Sequence, residues 1–320
     1  MILQIALIIL GFLLLIFGAN WLVSGASALA KRYNISDLVI GLTVVAFGTS
    51  APELFVNGIA SSNGLSDIVY GNILGSNMFN LFFILGIVGL IMPISVQTNT
   101  VWKEIPISAL ALLVLLLLSN NLYVHDGTQL SRSDGLILLV CFAGFLWYVY
   151  HQIINATEMS TENVSAVPMT TARITILIFL GLIGMILGGK LVVDNAVLVA
   201  TELDISEKII GLTIVAAGTS LPELVTSIVA AFKKNSDIAI GNVLGSNIFN
   251  VLLILPISSM IHPITYNTLF DRDILLILGG TVFLFAAMFM SGRKKLDRWE
   301  AAVLLFTYLI YTGWLISMEM

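Results

Sequence analysis

Polarity along this chain changes in long blocks. Mostly apolar stretches lie near residues 3–30, 36–61, 67–91, 104–119, 134–152, 172–199, 207–231, 237–261, 272–290 and 299–317, separated by short polar connections. A membrane helix needs about 20 mostly apolar residues, so the pattern predicts ten membrane-spanning helices. The stretches are continuous, whereas the strands of a membrane barrel would alternate at every second position. The longest polar connection, HQIINATEMSTENVSAVPMTTAR at 151–173, falls in the middle of the chain. The first stretch begins MILQIALIIL, with no basic residues ahead of it and no small-residue cleavage site before Lys31. It reads as a retained helix and not as a removed leader.

Composition agrees. Of the 320 residues 58% are hydrophobic and 10% charged, with a mean hydropathy of +1.02. Soluble domains carry about 25% charged residues, so a cytosolic globular enzyme is excluded. A disordered chain is excluded as well. Fourteen Lys and Arg against 19 Asp and Glu leave a net charge of −5, which argues against nucleic acid as a partner. A single cysteine, Cys141, rules out an internal disulfide. The surrounding partner is the lipid bilayer.

The placement of Lys and Arg predicts orientation. With the N-terminus outside, Lys31, Arg32, Lys103, Arg173, Lys233, Lys234, Arg293, Lys294, Lys295 and Arg298 fall inside. Arg132, Lys208 and Arg272 fall outside, and Lys190 lies within a span. Both termini are therefore expected to be extracytoplasmic, in the cell (plasma) membrane.

Self-comparison reveals an internal repeat. Residues 40–80 align with 210–250 at a constant offset of 170, with 24 identities in 41 positions. The register continues to Pro93 and Pro263. Each half holds five spans, an odd number, so the second copy must cross in the opposite sense. The expected fold class is an all-α polytopic membrane protein of ten helices in two inverted-topology five-helix repeats. The first repeat is residues 1–150, the cytoplasmic linker 151–171, and the second repeat 172–320. Secondary transporters are commonly built this way, with a substrate site between the halves at the middle of the membrane.

The identities concentrate on polar positions. Each half carries G-T-S-x-P-E followed by G-N-x-L-G-S-N-x-F-N. Glu53 and Glu223 lie deep within their spans, where an ionised carboxylate costs at least a few kcal/mol without a partner. Lys190 is the only cation within a span, and one lysine cannot neutralise two glutamates. A bound cation can. Pro52 and Pro222 precede the glutamates, and a proline inside a helix removes an N–H and frees a carbonyl one turn back. Such a break is tolerated at depth where it is buried or lines a cavity. The carbonyls around Ala46–Thr49 and Ala216–Thr219 then join the hydroxyls of Thr49, Ser50, Thr219 and Ser220 as hard donors. In the next span Ser76 and Asn80, and likewise Ser246 and Asn250, stand one helical turn apart and share a face. Asn72, Asn77, Asn242 and Asn247 fall on other faces and are expected to support or pack.

Carboxylate, carbonyl and hydroxyl oxygens suit Ca2+ and Na+, and two carboxylates balance one Ca2+ or two Na+. No His or Cys lies in the motif, which argues against zinc or copper. No cofactor is called for; Ca2+ and Na+ are the expected transported ions.

At these residues, AFGTSAPE with GNILGSN and AAGTSLPE with GNVLGSN, the chain resembles the cation/calcium exchanger superfamily, and most closely its prokaryotic sodium/calcium exchangers. The resemblance covers essentially the whole sequence. It implies an antiporter, not an enzyme, exchanging Na+ for Ca2+ by alternating access at a shared midplane site. It further implies that Glu53 and Glu223 are shared ligands and that Thr49 and Thr219 supply carbonyls. Ala46, Ser50 and Ser76 would line one flanking sodium site, and Ala216, Ser220 and Ser246 the other. Asn80 and Asn250 would sit at the centre. Many relatives carry Asp where this chain has Asn250, which keeps a Ca2+/H+ antiporter open as the alternative. The glycine-rich first span of each half resembles a sliding gate, and Lys190 and Asp194, one turn apart, are expected to pair near its outer end.

Two other readings compete less well. A channel also uses carboxylates in the membrane, but an inverted repeat around one site favours alternating access. An intramembrane hydrolase lacks its motifs: His125, His151 and His262 fall at span ends or in loops. Nothing in the sequence calls for a second chain, so a monomer is compatible with all of it.

Overall fold

A computed structural model describes residues 2–95, 100–120, 128–159, 169–202, 216–290 and 294–319. Twelve helices carry most of this chain. In order they are α1 (Ile2–Tyr33), α2 (Asp37–Thr49), α3 (Ala51–Ser62), α4 (Ser66–Ile91), α5 (Val101–Ser119) and α6 (Arg132–Met159). The second set comprises α7 (Thr171–Glu202), α8 (Ala216–Thr219), α9 (Leu221–Phe232), α10 (Ser236–Ile261), α11 (Phe270–Met290) and α12 (Arg298–Glu319).

Among the described residues seven helices are long and apolar enough to cross a bilayer, or eight if the pair α2–α3, bent by 46°, is one span. The expectation of ten is thus met in part. The stretch near 207–231 lies partly outside the described residues, as does Lys208. Its remainder is α8, Ser220 and α9, an apolar helix of 12 residues with Pro222 in its first turn. Arg293 and residues 160–168 of the 151–171 linker also lie outside the described residues.

What is exposed identifies the solvent. Ile9, Phe12, Phe17, Ile176, Phe179, Ile183 and Leu187 all face outward from α1 and α7. Such a surface is an aggregation hazard in water and suits lipid. The chain is a polytopic membrane protein. The interior is built from α4 and α10, which are 78% and 94% buried over their most apolar stretches, against 22% and 28% for α1 and α7.

Local structure repeats at the spacing of 170. The α3–α4 and α9–α10 turns both close with a backbone N–H reaching back over the helix end, Leu65 to Ala60 and Asn235 to Ala230, each at 2.9 Å. This is the Schellman arrangement, which requires a residue with positive φ at the turn. Gly64 supplies it at φ 71°, and Lys234 at φ 59°. Two short antiparallel pairings tie distant segments together. β1 (Ile94–Ser95) pairs with β4 (Lys295–Leu296), and β2 (Gln129–Leu130) pairs with β3 (Ile264–Thr265). Each sets a buried Ile against a buried Leu: Ile94 on Leu296, and Ile264 on Leu130.

Helices α1 and α7 pack along their length. Glycine permits it: a Cβ on Gly11 would meet the Gly188 carbonyl at 2.8 Å, and one on Gly18 the Gly181 carbonyl at 2.8 Å. Such close backbone approach is a recurring device of membrane helix packing.

Candidate ion-binding site

The site begins at two interruptions. Ser50 is the single residue between α2 and α3, with φ −82° and ψ 7°. Ser220 separates α8 from α9 with φ −91° and ψ 8°. Pro52 and Pro222 fall in the first turns of the following helices, where a proline's missing N–H costs nothing. So the prolines restart helices and do not kink them. Glu53 and Glu223 consequently lie in first turns, at the positive end of the helix dipole, which favours ionised carboxylates. Both are almost completely buried, at 1% and 0% exposure.

The serines cross between the halves. Ser50 Oγ donates to Glu223 Oε1 at 3.1 Å, and Ser220 Oγ donates to Glu53 Oε1 at 3.2 Å. From the neighbouring helices, Ser76 Oγ reaches Glu53 Oε1 and Ser246 Oγ reaches Glu223 Oε1, each at 3.4 Å. Each carboxylate is thereby held through one oxygen, by one serine from its own half and one from the other. The second oxygens, Glu53 Oε2 and Glu223 Oε2, are buried without a hydrogen-bond partner.

The asparagines complete the cage. Asn77 Nδ2 and Asn247 Nδ2 donate to each other's backbone carbonyls, at 3.5 and 3.4 Å. A carbonyl can only accept, so the side-chain oxygens of both are turned the other way. There Asn77 Oδ1 accepts from Asn250 Nδ2 at 2.9 Å, and Asn247 Oδ1 accepts from Asn80 Nδ2 at 3.1 Å. With their amide nitrogens engaged, Asn80 Oδ1 and Asn250 Oδ1 are left buried and unpartnered. Asn80 and Asn250 lie in π-helical stretches, Phe79–Ile84 and Asn250–Ile254, and such widened turns are frequent at functional positions. Buried acceptors without donors are rare in proteins. Two carboxylate and two amide oxygens left so make a donor set for a hard cation.

Most predicted site residues converge here: Glu53, Glu223, Ser50, Ser220, Ser76, Ser246, Asn80 and Asn250. For three others the structure gives detail that spacing does not. The Thr49 and Thr219 hydroxyls donate to Asn242 Oδ1 at 3.0 Å and Asn72 Oδ1 at 3.2 Å, stapling each break to the opposite half, and they lie close enough to interact with Glu223 and Glu53 of that half. The Ala46 carbonyl accepts from Ser50 N–H at 3.0 Å, which leaves its second lone pair available. Lys190 and Asp194 stand exposed on a cavity wall, and no ion pair joins them among the described residues. Ala216, the counterpart of Ala46, opens α8, and its side chain lies outside what the structure describes.

Sequence spacing understated the supporting asparagines. Asn77 and Asn247 aim the central amides, and Asn242 donates to the Glu223 carbonyl at 3.2 Å and Ser227 Oγ at 3.0 Å. Asn57, outside the shared motif, donates to the Glu53 carbonyl at 2.7 Å. The signal available for the first two was their identity in both copies. Among the described residues no three His, Cys, Asp or Glu side chains cluster, so neutral oxygens supply every donor beyond the two glutamates.

A lipid-facing helical bundle that brings two carboxylates together among neutral oxygens defines a membrane transporter for hard cations. The chain belongs to the sodium/calcium exchanger protein family, whose model matches residues 3–151 and 173–317. It is 39% identical over 283 residues to the inner membrane protein YrbG of Escherichia coli, covering 85% of each chain. It is 27% identical to the sodium/calcium exchanger MaX1 of Methanosarcina acetivorans, over 95% of this chain and 96% of that one. The fold matches that of the sodium-calcium exchanger NCX_Mj, soaked with zero Na+ and Ca2+, with a TM-score of 0.82 and 31% identity over 98% of this chain and 99% of the other.

Proposed function

We propose that this chain exchanges Na+ for Ca2+ across the plasma membrane by alternating access to the cage between Glu53 and Glu223. The observation that carries the reading is the set of four buried, unpartnered oxygens: Glu53 Oε2, Glu223 Oε2, Asn80 Oδ1 and Asn250 Oδ1. Two carboxylates neutralise one Ca2+ or two Na+. The two ions are similar in size and take the same oxygen donors, so each excludes the other from one cage. That mutual exclusion couples the fluxes. The chain has no chemical step to catalyse and needs no cofactor; the ions are its substrates.

In this reading the halves are inverted five-helix repeats, 1–150 and 172–320, joined by a cytoplasmic linker at 151–171. Ten spans then place both termini outside. The strand pairings support it, because five crossings per half put β1 and β4 on one side of the membrane and β2 and β3 on the other. The ligands are Glu53, Glu223, Asn80 and Asn250. Ser50, Ser76 and the Ala46 and Thr49 carbonyls form one flanking sodium site, and Ser220, Ser246, Ala216 and Thr219 the other. Each flanking site draws on one half, and a monomer holds the complete set.

Purified protein in vesicles tests this. An outward-directed Na+ gradient should drive uptake of radiolabelled Ca2+, and collapsing the gradient should stop it. Uptake driven by a pH gradient in sodium-free buffer, with none driven by Na+, would overturn the coupling in favour of protons.

A further inference from the structure

The offset of 170 extends without a gap to α1 and α7, where Gly11 and Gly18 match Gly181 and Gly188. The contacts along that seam obey it, since Gly11 meets Gly188 as Gly18 meets Gly181. Beside the seam the two sides part. Helix α1 packs on α9. Between the counterparts, α7 and α3, lies a cavity of about 510 Å3 lined by Pro52 and Phe55 of α3, Lys190 and Asp194 of α7, and Thr219 and Pro222 at the second break.

The packed side carries polar contacts that the cavity side lacks. Lys233, one residue past α9, donates from Nζ to the Asn20 carbonyl at 2.8 Å and to Ser24 Oγ at 2.7 Å. Asn235 donates from Nδ2 to Ser27 Oγ at 3.1 Å and to Asp37 Oδ2 at 2.9 Å. In the other half Asn63 stands for Lys233, and Lys190 and Asp194 for Asn20 and Ser24. Leu65 replaces Asn235 and Val197 replaces Ser27. Leucine and valine side chains cannot hydrogen-bond, and asparagine lacks the reach of lysine.

Parts of the molecule that are the same in both halves stabilise both access states equally, so they cannot choose between them. The choice falls to the parts that differ. We propose that Lys233 and Asn235 are positioning residues of the transport cycle, a polar clasp on α1 that keeps the site closed on their side. Its absence from the other half leaves the α7 side open at rest. This rests on the alternating-access reading.

The test labels the full-length protein, in vesicles and with Cys141→Ser as background, with a small maleimide. Val23→Cys on α1 reports the clasped side, and Val193→Cys, its counterpart on α7, reports the cavity wall. With the clasp intact, Val193→Cys should react quickly and Val23→Cys slowly. Adding Lys233→Met with Asn235→Leu should shift the ratio of the two rates about tenfold toward Val23→Cys, the scale of a lost charge-assisted hydrogen bond. Lys233→Arg, which keeps the donor, should leave the ratio unchanged. If the double variant fails to fold, Asn63→Lys with Leu65→Asn supplies a clasp to the cavity side and should slow Val193→Cys. A ratio unmoved by these changes overturns the clasp. Fast labelling at both positions in the otherwise unaltered protein overturns alternating access itself, a different result.

Discussion

The centre of this molecule and its flanks follow different rules. At the centre most contacts made by one half are repeated by the other: Ser50 on Glu223 with Ser220 on Glu53, Thr49 on Asn242 with Thr219 on Asn72, Asn80 on Asn247 with Asn250 on Asn77. At the flanks the correspondence lapses, with a clasp on α1 and a cavity beside α7. In the function proposed, a shared ion cage must serve both access states, so each half is held to the same chemistry. The flanks set which state is occupied, and there the halves are free to differ.

The comparison can be broken most directly at the carboxylates. Glu53→Gln and Glu223→Gln should each abolish Na+-driven Ca2+ uptake, since losing one charge of a buried set costs about 3 kcal/mol or more, a factor of about 100. Vesicle uptake at saturating Ca2+ checks it, and retained exchange in either variant would count against the cage. Similar losses are expected of the two, because each carboxylate is held by one serine from either half.

At the seam, Gly188→Val puts a side chain where even its Cβ would lie 2.7 Å from the Gly11 carbonyl. Overpacking of this kind costs about 1–3 kcal/mol. Thermal unfolding in detergent should show a lower Tm, and Gly18→Val should match it. A drop confined to one of them would mean the seam is less symmetric than its contacts.

Smaller effects belong to the aiming amides. Asn77→Ala releases the Asn250 amide and Asn247→Ala releases that of Asn80, so each should raise the Ca2+ concentration for half-maximal uptake about tenfold, the worth of one or two buried hydrogen bonds. Unchanged half-saturation would show that neither central amide oxygen meets the ion. The smallest change is expected when the centre is made unequal. Asn250→Asp adds a third charge and should alter Na+ competition about threefold, roughly 0.7 kcal/mol, without loss of exchange; a flat competition curve would place Asn250 away from the ions.

Much of this was legible in the residues. Hydrophobic blocks and scarce charge require a bilayer, because no fold could hide so much apolar surface from water. The doubled motif marks the repeated halves and nearly all of the side chains that meet around Glu53 and Glu223, since an acid at such depth is kept for a reason. Pro52 and Pro222 announce a break. Tertiary structure decided the rest, because it depends on which groups of the two halves meet. Spacing cannot reveal that Thr49 and Thr219 spend their hydroxyls on asparagines across the interface, or that Asn77 and Asn247 turn the central amides. It cannot separate a proline that kinks a helix from one that starts the next. Nor can it reveal that Lys190 and Asp194, one turn apart, remain unpaired beside an open cavity, because an opening is a property of two helices and neither sequence contains it.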